Sequence, residues 1–331
     1  MTSVQKMMLA TIKVARKVFA NTPVNNWRPA GVVKGWLFRL GYGKTDRVIQ
    51  FQGLSIMAPS RDVSVTPGLV GGYYEAAEVE IFKRLAAVSQ CIVDVGGNIG
   101  LYAALGAKNL PPEGRVITFE PIAENLDYLQ RNLSLNQLVE KVAIEPVAVG
   151  KEPGELTIHL SRHNVGNHSA AKSNASDSVE STQVPRVSLD TYFADDARRD
   201  SSIDILKIDV EGYDGFVLEG AQEIIGRWKP TLFVEFIPKL MWNCGYDPSR
   251  CIGMLFQSYP TCYVIDEISD VVIEVKQDSI ADFIKRISNA NLIFVSDLAH
   301  KALIEAHLSD TSTRRGHKQT VQTHAEKERR R

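Results

Sequence analysis

From about residue 88 onward, short runs of apolar and β-branched residues alternate with stretches whose apolar positions recur every three to four residues. CIVDV (91–95) is a continuous apolar strand, and LYAALGAKNL after Gly100 reads as a helix ended by Pro111 and Pro112. RVITFE (115–120) is the next strand. AENLDYLQRNLSLNQL follows as an amphipathic helix, with Leu126, Leu129, Leu133 and Leu138 as its buried stripe. VAIEPVAV (142–149) is a third strand. Strand, helix, strand, helix, strand in about sixty residues predicts a parallel sheet with right-handed crossovers.

After Gly154 the pattern changes. ELTIHL and VPRVSL are extended, joined by the polar stretch SRHNVGNHSAAKSNASDSVESTQ, which predicts a hairpin-like excursion off the sheet. A connection of that length is usually functional or disordered. The alternation then resumes with DILKIDV (204–210), a helix over DGFVLEGAQEIIGRW, TLFVEF (231–236), a helix over SRCIGMLFQSYP, and TCYVID (261–266). NLIFVSD (291–297) is the last strand, before a short helix. The expectation is an α/β, doubly wound domain with a seven-stranded, mostly parallel sheet and helices on both faces. It occupies 71–308, after a basic extension at 1–70 and before a disordered basic tail at 309–331.

Composition keeps this picture and narrows it. The chain has 331 residues, 44% hydrophobic and 23% charged, which excludes a fully disordered chain, a collagen-like repeat and a disulfide-stapled miniprotein. No apolar run reaches the ~18–20 residues needed to span a bilayer. The net charge of −1 conceals three blocks. Residues 1–47 carry nine bases against one acid and residues 309–331 seven against three, leaving −13 on the body between them. Such a body repels phosphate backbones, so no nucleic-acid partner is expected. In MMLATIKVARKVF and its continuation, Leu9, Ile12 and Phe19 share one helical face and Lys13, Arg16 and Lys17 lie on another. Two readings fit: peripheral contact with an anionic membrane or acidic partner, and packing on the chain's own acidic body. The interrupting bases leave no continuous apolar core for a signal peptide. The four cysteines form no CxxC pair and no zinc-like spacing, and Cys91 and Cys262 sit in apolar runs. A reducing, cytoplasmic setting and no structural metal are expected.

The chemistry concentrates in Asp94-Val95-Gly96-Gly97-Asn98-Ile99-Gly100, at a strand end that opens a helix. The glycines are not spaced as G-x-G-x-x-G, so a dinucleotide pyrophosphate is a poor match. D-x-G-x-N-x-G instead puts a carboxylate on the strand and small residues in the turn. That suits a cationic ligand bearing an amino acid, and S-adenosylmethionine, with its sulfonium and ammonium, has both features. Glu120 ends the second strand, twenty-six residues beyond Asp94. There a carboxylate accepts from both ribose hydroxyls, as in dinucleotide folds. The cofactor-binding set is therefore Asp94, Gly96, Asn98, Gly100 and Glu120, with Asn125 and Asn132 as further candidates around the adenosine. Tyr73, Tyr74 and Glu78 either cap the amino-acid end of the donor or serve helix packing.

The sequence resembles the FkbM-type S-adenosylmethionine-dependent methyltransferases over roughly residues 72–266. The likeness rests on YYEAAEVEIFKRL, VDVGGNIGLY, FEPIAENLDYLQRNLSLN, VAVG, RVSLDTYF and, most specifically, LKIDVEGYDGFVLEGA. Gly97 stands where that family commonly has alanine, a change expected to be sterically harmless. The resemblance implies a class I methyltransferase, Rossmann-like fold and O-methylation of a hydroxyl on a sugar, glycan or secondary metabolite. An RNA or amine methyltransferase, or a non-catalytic adapter keeping the fold, are the alternatives.

Methyl transfer to a neutral hydroxyl needs alignment and a proton acceptor. Asp209 and Glu211, taken to share one face of an extended fourth strand, are the catalytic candidates, with Asp209 nearest the methyl group. Glu211 also reads as a carboxylate favoured at a helix N-terminus. Lys207 reads as structural. His168, or His163 beside it, is a candidate base in the excursion, where Asn164, Gly166 and Asn167 suit a turn folding over substrate. Asp209 and Glu235 also resemble the carboxylate placement of catechol-type O-methyltransferases that use Mg2+. The reading adopted is metal-free, with Mg2+ as the alternative.

Overall fold

The computed structural model describes residues 42–162, 164–175, 177–178, 180–195, 202–266, 271–276 and 289–309. In chain order the strands are β1 (Arg47–Phe51), β2 (Leu54–Ala58), β3 (Cys91–Val95), β4 (Arg115–Phe119), β5 (Val142–Glu145), β6 (Ala148–Val149) and β7 (Gly154–Leu160). They continue with β8 (Glu180–Val187), β9 (Ile205–Ile208), β10 (Thr231–Phe236), β11 (Thr261–Asp266), β12 (Val271–Val275) and β13 (Ala290–Val295). The helices include α1 (Val65–Gly71), α2 (Ala76–Ala86), α3 (Leu101–Asn109), α4 (Ala123–Leu135), α5 (Leu189–Phe193) and α6 (Asp214–Glu219). They continue with α7 (Gln222–Trp228), α8 (Pro238–Asn243) and α9 (Pro248–Ser258). The predicted amphipathic helix of the first 41 residues, the tail from 310 and His163 lie outside the described residues.

One eight-stranded sheet organises the domain, in the order β12-β11-β13-β10-β9-β3-β4-β5. Strands β5, β4, β3, β9 and β10 run parallel. Strand β13 is antiparallel to both β10 and β11, so β11 runs with the parallel set. Apart from the edge strand β12, this is the seven-stranded class I methyltransferase arrangement that the sequence predicts. The strands are apolar on both faces because each face is covered. Ile92, Ile205 and Phe233 join a core with Phe82 and Leu105, while their neighbours Val93, Leu206 and Leu232 join a second core with Leu218 and Leu255.

Two predicted strands are shorter than expected. VAIEPVAV breaks at Pro146, which has no N–H to donate. Its first half is β5, and its second half, β6, leaves the main sheet to pair with β8. DILKIDV ends as a strand at Ile208, so Asp209 and Glu211 lie in the turn beyond it. The excursion forms as predicted: β7 and β8 pair antiparallel from Gly154↔Arg186 to Leu160↔Glu180.

The stripe of α4 differs from the leucine pattern. Its buried residues are Asn125, Tyr128, Leu129, Asn132 and Leu133, with Leu126 and Leu138 only half-buried. Asn132, with Asn136 just past the helix, serves the hairpin β1–β2, which lies inside the 1–70 stretch read from sequence as extension but contributes Phe51, Leu54 and Ile56 to the core. Asn132 Oδ1 accepts from Met57 N–H at 2.6 Å and its Nδ2 donates to Ile99 O at 2.7 Å. Asn136, just past α4, accepts from Ser55 N–H at 2.9 Å and donates to Ser55 O at 2.8 Å. Side chains four apart on a helix rise ~6 Å, and backbone groups two apart on a strand advance ~6.7 Å. The two amides therefore pair with the open edge of β2 as a neighbouring strand would. Among the described residues, no helix is long and apolar enough to cross a membrane, and all four cysteines are free thiols.

Asn132→Ala and Asn136→Ala are expected to lower stability by about 1–3 kcal/mol for each backbone group left buried and unpaired. The loss should be larger at Asn132, which is fully buried. Urea midpoints check this; equal and negligible losses would contradict the edge-pairing account.

Candidate active site

The chain leaves β3 toward β4 and β9 toward β10, so the carboxyl ends of β3 and β9 flank the switch point where α/β sheets bind ligands. A cavity of about 510 Å3 opens there. Gly96, Asn98, Glu120, Asp209, Glu211 and His168 line it. The other two sequence-selected residues, Asp94 and Gly100, do not. Gly100 starts α3 and packs on Leu129.

The turn after β3 is fixed by Gly96 and Gly97, whose N–H groups both donate to Phe119 O at 3.0 Å. A Cβ on Gly97 would stand 2.3 Å from Thr118 Oγ1. Thr118 is fully buried, and its hydroxyl donates to Asp94 Oδ2 at 3.1 Å. Alanine at 97 is therefore not harmless in this chain, contrary to the expectation from sequence.

Behind the turn, Asp94 stands in register between Thr118 on β4 and Lys207 on β9. Burial pushes its pKa up to about 6, against the pull of Lys207. Lys207 is itself buried, with Nζ 2.7 Å from Asp209 Oδ2 and 4.3 Å from the centre of the Tyr102 ring. Burial alone would lower the lysine's pKa, but Asp209, Glu78, Glu75 and Asp94 together raise it. Tyr102 donates its hydroxyl to Glu75 Oε2 at 2.6 Å, and burial raises the Glu75 pKa. Tyr73, Tyr74 and Glu75 line the cavity, whereas Glu78 is buried away from it as the acceptor for Asn291 Nδ2. Lys207 is thus more than structural filler: it joins the strand core to the cavity wall. Glu75 and Tyr102 went unnoticed in the sequence because neither belongs to the glycine motif.

Glu120 ends β4 with both oxygens engaged. Asn98 N–H donates to Oε2 and Ile122 N–H to Oε1, each at 2.8 Å. Burial nevertheless raises its pKa to about 7. Asn98 Oδ1 and Asn125 Oδ1 are buried without a hydrogen-bond partner among the described residues. Asn125 donates to Val165 O at 3.3 Å and lines the cavity. Asn132, the other helical candidate, serves the hairpin instead. Ile122, Val147, Ala148, Leu156 and Ile158 form an apolar panel beside Glu120.

Asp209, Glu211 and Glu235, which also line the cavity, have carboxylate oxygens within 4.8 Å of one another, a grouping with the donors for a divalent cation. The expected route, two residues on one strand face, is not what brings them together. Glu211 takes a left-handed conformation, φ 54°, in the turn after β9.

His168 Nδ1 accepts from Ser161 N–H at 3.0 Å, so in the neutral ring the proton is on Nε2. Burial, reinforced by Arg61, lowers its pKa to about 4. Its ring is therefore neutral at pH 7 and presents a donor, which does not suit the base assigned from sequence. Gly166 and Asn167 line the cavity, within a turn closed by Gly166 N–H to Asn164 Oδ1 at 2.9 Å.

Residues 94–248 match the family described as the methyltransferase FkbM domain. The chain is 27% identical over 194 residues to methyltransferase sdnD of Sordaria araneosa, covering 48% of this chain and 74% of that protein. It is 29% identical over 172 residues to methyltransferase 1 of Beauveria bassiana (strain ARSEF 2860), covering 44% and 68% respectively. A solved FkbM methyltransferase from Methylobacillus flagellatus KT aligns at 15% identity and TM-score 0.35, covering 72% of this chain and 56% of that one. The O-methyltransferase TomG from Streptomyces achromogenes, solved with S-adenosylmethionine, aligns at 13% identity and TM-score 0.39, covering 67% and 81%.

Gly97→Ala is expected to destabilise the protein by about 1–3 kcal/mol through overpacking against Thr118. In a Thr118→Ala background, which has its own cost through the lost bond to Asp94, the further loss from Gly97→Ala should be small by thermal unfolding. Strictly additive losses would show that the two side chains do not collide.

Proposed function

We propose that this chain, an S-adenosylmethionine-dependent methyltransferase of the FkbM family, transfers its methyl group to a hydroxyl of a sugar or secondary metabolite. The observation that carries the reading is one cavity lined by two chemically different groups of residues. The turn Gly96–Asn98 and Glu120 form one, and the carboxylates of Asp209, Glu211 and Glu235 the other.

The residues present fit the donor. The unpartnered Oδ1 atoms of Asn98 and Asn125 call for a ligand with N–H or O–H groups. Each Glu120 oxygen, already accepting one backbone N–H, keeps a lone pair for a ribose hydroxyl. The panel of Ile122, Val147 and Ala148 suits an adenine ring. A volume of about 510 Å3 falls within the ~300–1,000 Å3 usual for small-molecule sites. When bound, S-adenosylmethionine supplies a methyl already activated by its sulfonium.

The protein's part is then alignment and proton removal. Asp209 is the proposed acceptor of the hydroxyl proton. Lys207 orients it from 2.7 Å and balances its charge. Glu211 and Glu235 complete a polar cradle around the acceptor oxygen. His168, as a neutral donor, is proposed to hold an acceptor atom of the substrate.

Asp209→Asn is expected to lower turnover by about 10²–10⁴-fold, the usual worth of a positioned base, with donor affinity unchanged by calorimetry. Full turnover in this variant, assayed with methyl-labelled donor against panels of sugars and small-molecule alcohols, would remove the assignment. The pH response of donor binding follows from Glu120. Its pKa in the folded protein is raised to about 7, so it is protonated below that pH and ionises as pH rises. The ionised form accepts hydroxyls better, so donor affinity should rise between pH 6 and 8, by up to about tenfold per pH unit below the pKa. Glu120→Gln should bind more weakly at pH 8 and respond less to pH; an unchanged slope would place the titrating group elsewhere.

A further inference from the structure

The polar excursion reaches the carboxylate grouping of the cavity through two side chains, Ser169 and Asn174. Asn174 lies outside the cavity lining, yet its amide joins three separate pieces of chain. Nδ2 donates to Glu211 O at 3.1 Å and to Leu240 O at 3.2 Å, and approaches Ser169 Oγ at 3.0 Å. Oδ1 accepts from Asn243 Nδ2 at 2.7 Å. Ser169 Oγ also donates to Glu211 O, at 2.8 Å. The carbonyl of Glu211 thus receives two hydrogen bonds from the excursion.

The N–H groups of its two neighbours in the chain are held as well. Asp214 accepts from Val210 N–H at 3.2 Å and from Gly212 N–H at 3.0 Å. Gly212, φ 95°, lets the turn press against α8: a Cβ there would stand 2.5 Å from the carbonyl carbon of Leu240. Between these clamps Glu211 adopts φ 54°, a region that side-chain-bearing residues enter only when their surroundings over-determine it. The conformation coincides with the place where the Glu211 carboxylate meets Asp209 and Glu235.

We propose that Asn174, seconded by Ser169, is a positioning residue that holds Glu211 in its left-handed conformation and so sets the carboxylate grouping that lines the cavity. The role of that grouping in methyl transfer rests on the function proposed above; the positioning itself does not. The geometry also gives the excursion a second task beyond walling the cavity with Val165–His168. It fixes the turn after β9 relative to α8, and hence relative to β10, which carries Glu235 and leads into α8.

Two variants separate this role from general scaffolding. Asn174→Ala removes both the donor and the acceptor. Asn174→Asp keeps the volume and the acceptor for Asn243 but cannot donate to Glu211 O. Crystal structures of both are expected to show Glu211 at negative φ, its carboxylate withdrawn from Asp209 and Glu235, with α8 in place in Asn174→Asp. Affinity for S-adenosylhomocysteine, measured by calorimetry, should stay within about twofold, because the residues proposed to hold the donor make no contact with Asn174. Glu211 retaining φ near 54° in both variants would overturn the proposal, as would a loss of S-adenosylhomocysteine binding well beyond twofold in Asn174→Asp. If Asn174→Ala does not fold, Asn174→Asp with Ser169→Ala carries the same test. Neither readout involves a methyl acceptor, so a failed hydroxyl assignment leaves the result standing.

Discussion

One buried ammonium sets the terms for the active site. Lys207 lies in the central strand β9 with Asp94 beside it on β3, Asp209 two residues on, and Glu75 and Glu78 approaching from α2 and the residue before it. A lone lysine there would shed its proton, and carboxylates crowded together without a cation would repel one another. Together they hold the lysine charged and leave an excess of acid. Breaking such a cluster by removing one partner is costlier than never having built it, which explains why strand, helix and turn meet so closely here. The residual negative field lies at the switch point, under the turn proposed to hold the donor. A cationic cofactor is electrostatically suited to that place in a way a neutral nucleoside is not.

The two groups of residues lining the cavity owe their positions to different devices. The group proposed to hold the donor is built by backbone: peptide N–H groups of the glycine turn and of Ile122 fix Phe119 and Glu120, and little depends on long side chains. The carboxylate group is built by side chains from distant segments, converging on a turn that is held rather than relaxed.

Much of this was readable from the residues in order, and the part that was not has identifiable causes. Strands buried on both faces announce themselves as unbroken apolar runs, and β3, β4, β10 and β13 were found that way. The glycine turn and Glu120 follow from local chemistry within one βαβ unit. By contrast, α4 buries Asn132 beside its leucines because the edge of β2, more than seventy residues upstream, needs a partner. Periodicity cannot show a demand that arises so far away. The same holds for His168, whose tautomer is set by the backbone of Ser161, and for Glu211, whose place depends on Asn174 and Asp214 rather than on strand alternation.

The close contact at the glycine turn has a bearing on how the sequence is free to drift. Position 97 and position 118 share one small volume between neighbouring strands, and Asp94 uses the hydroxyl that occupies it. A methyl group can enter from one side only if the oxygen leaves from the other. The two sites therefore constitute a single heritable choice, in which an alanine in the turn would leave the buried aspartate to be solvated by some other means.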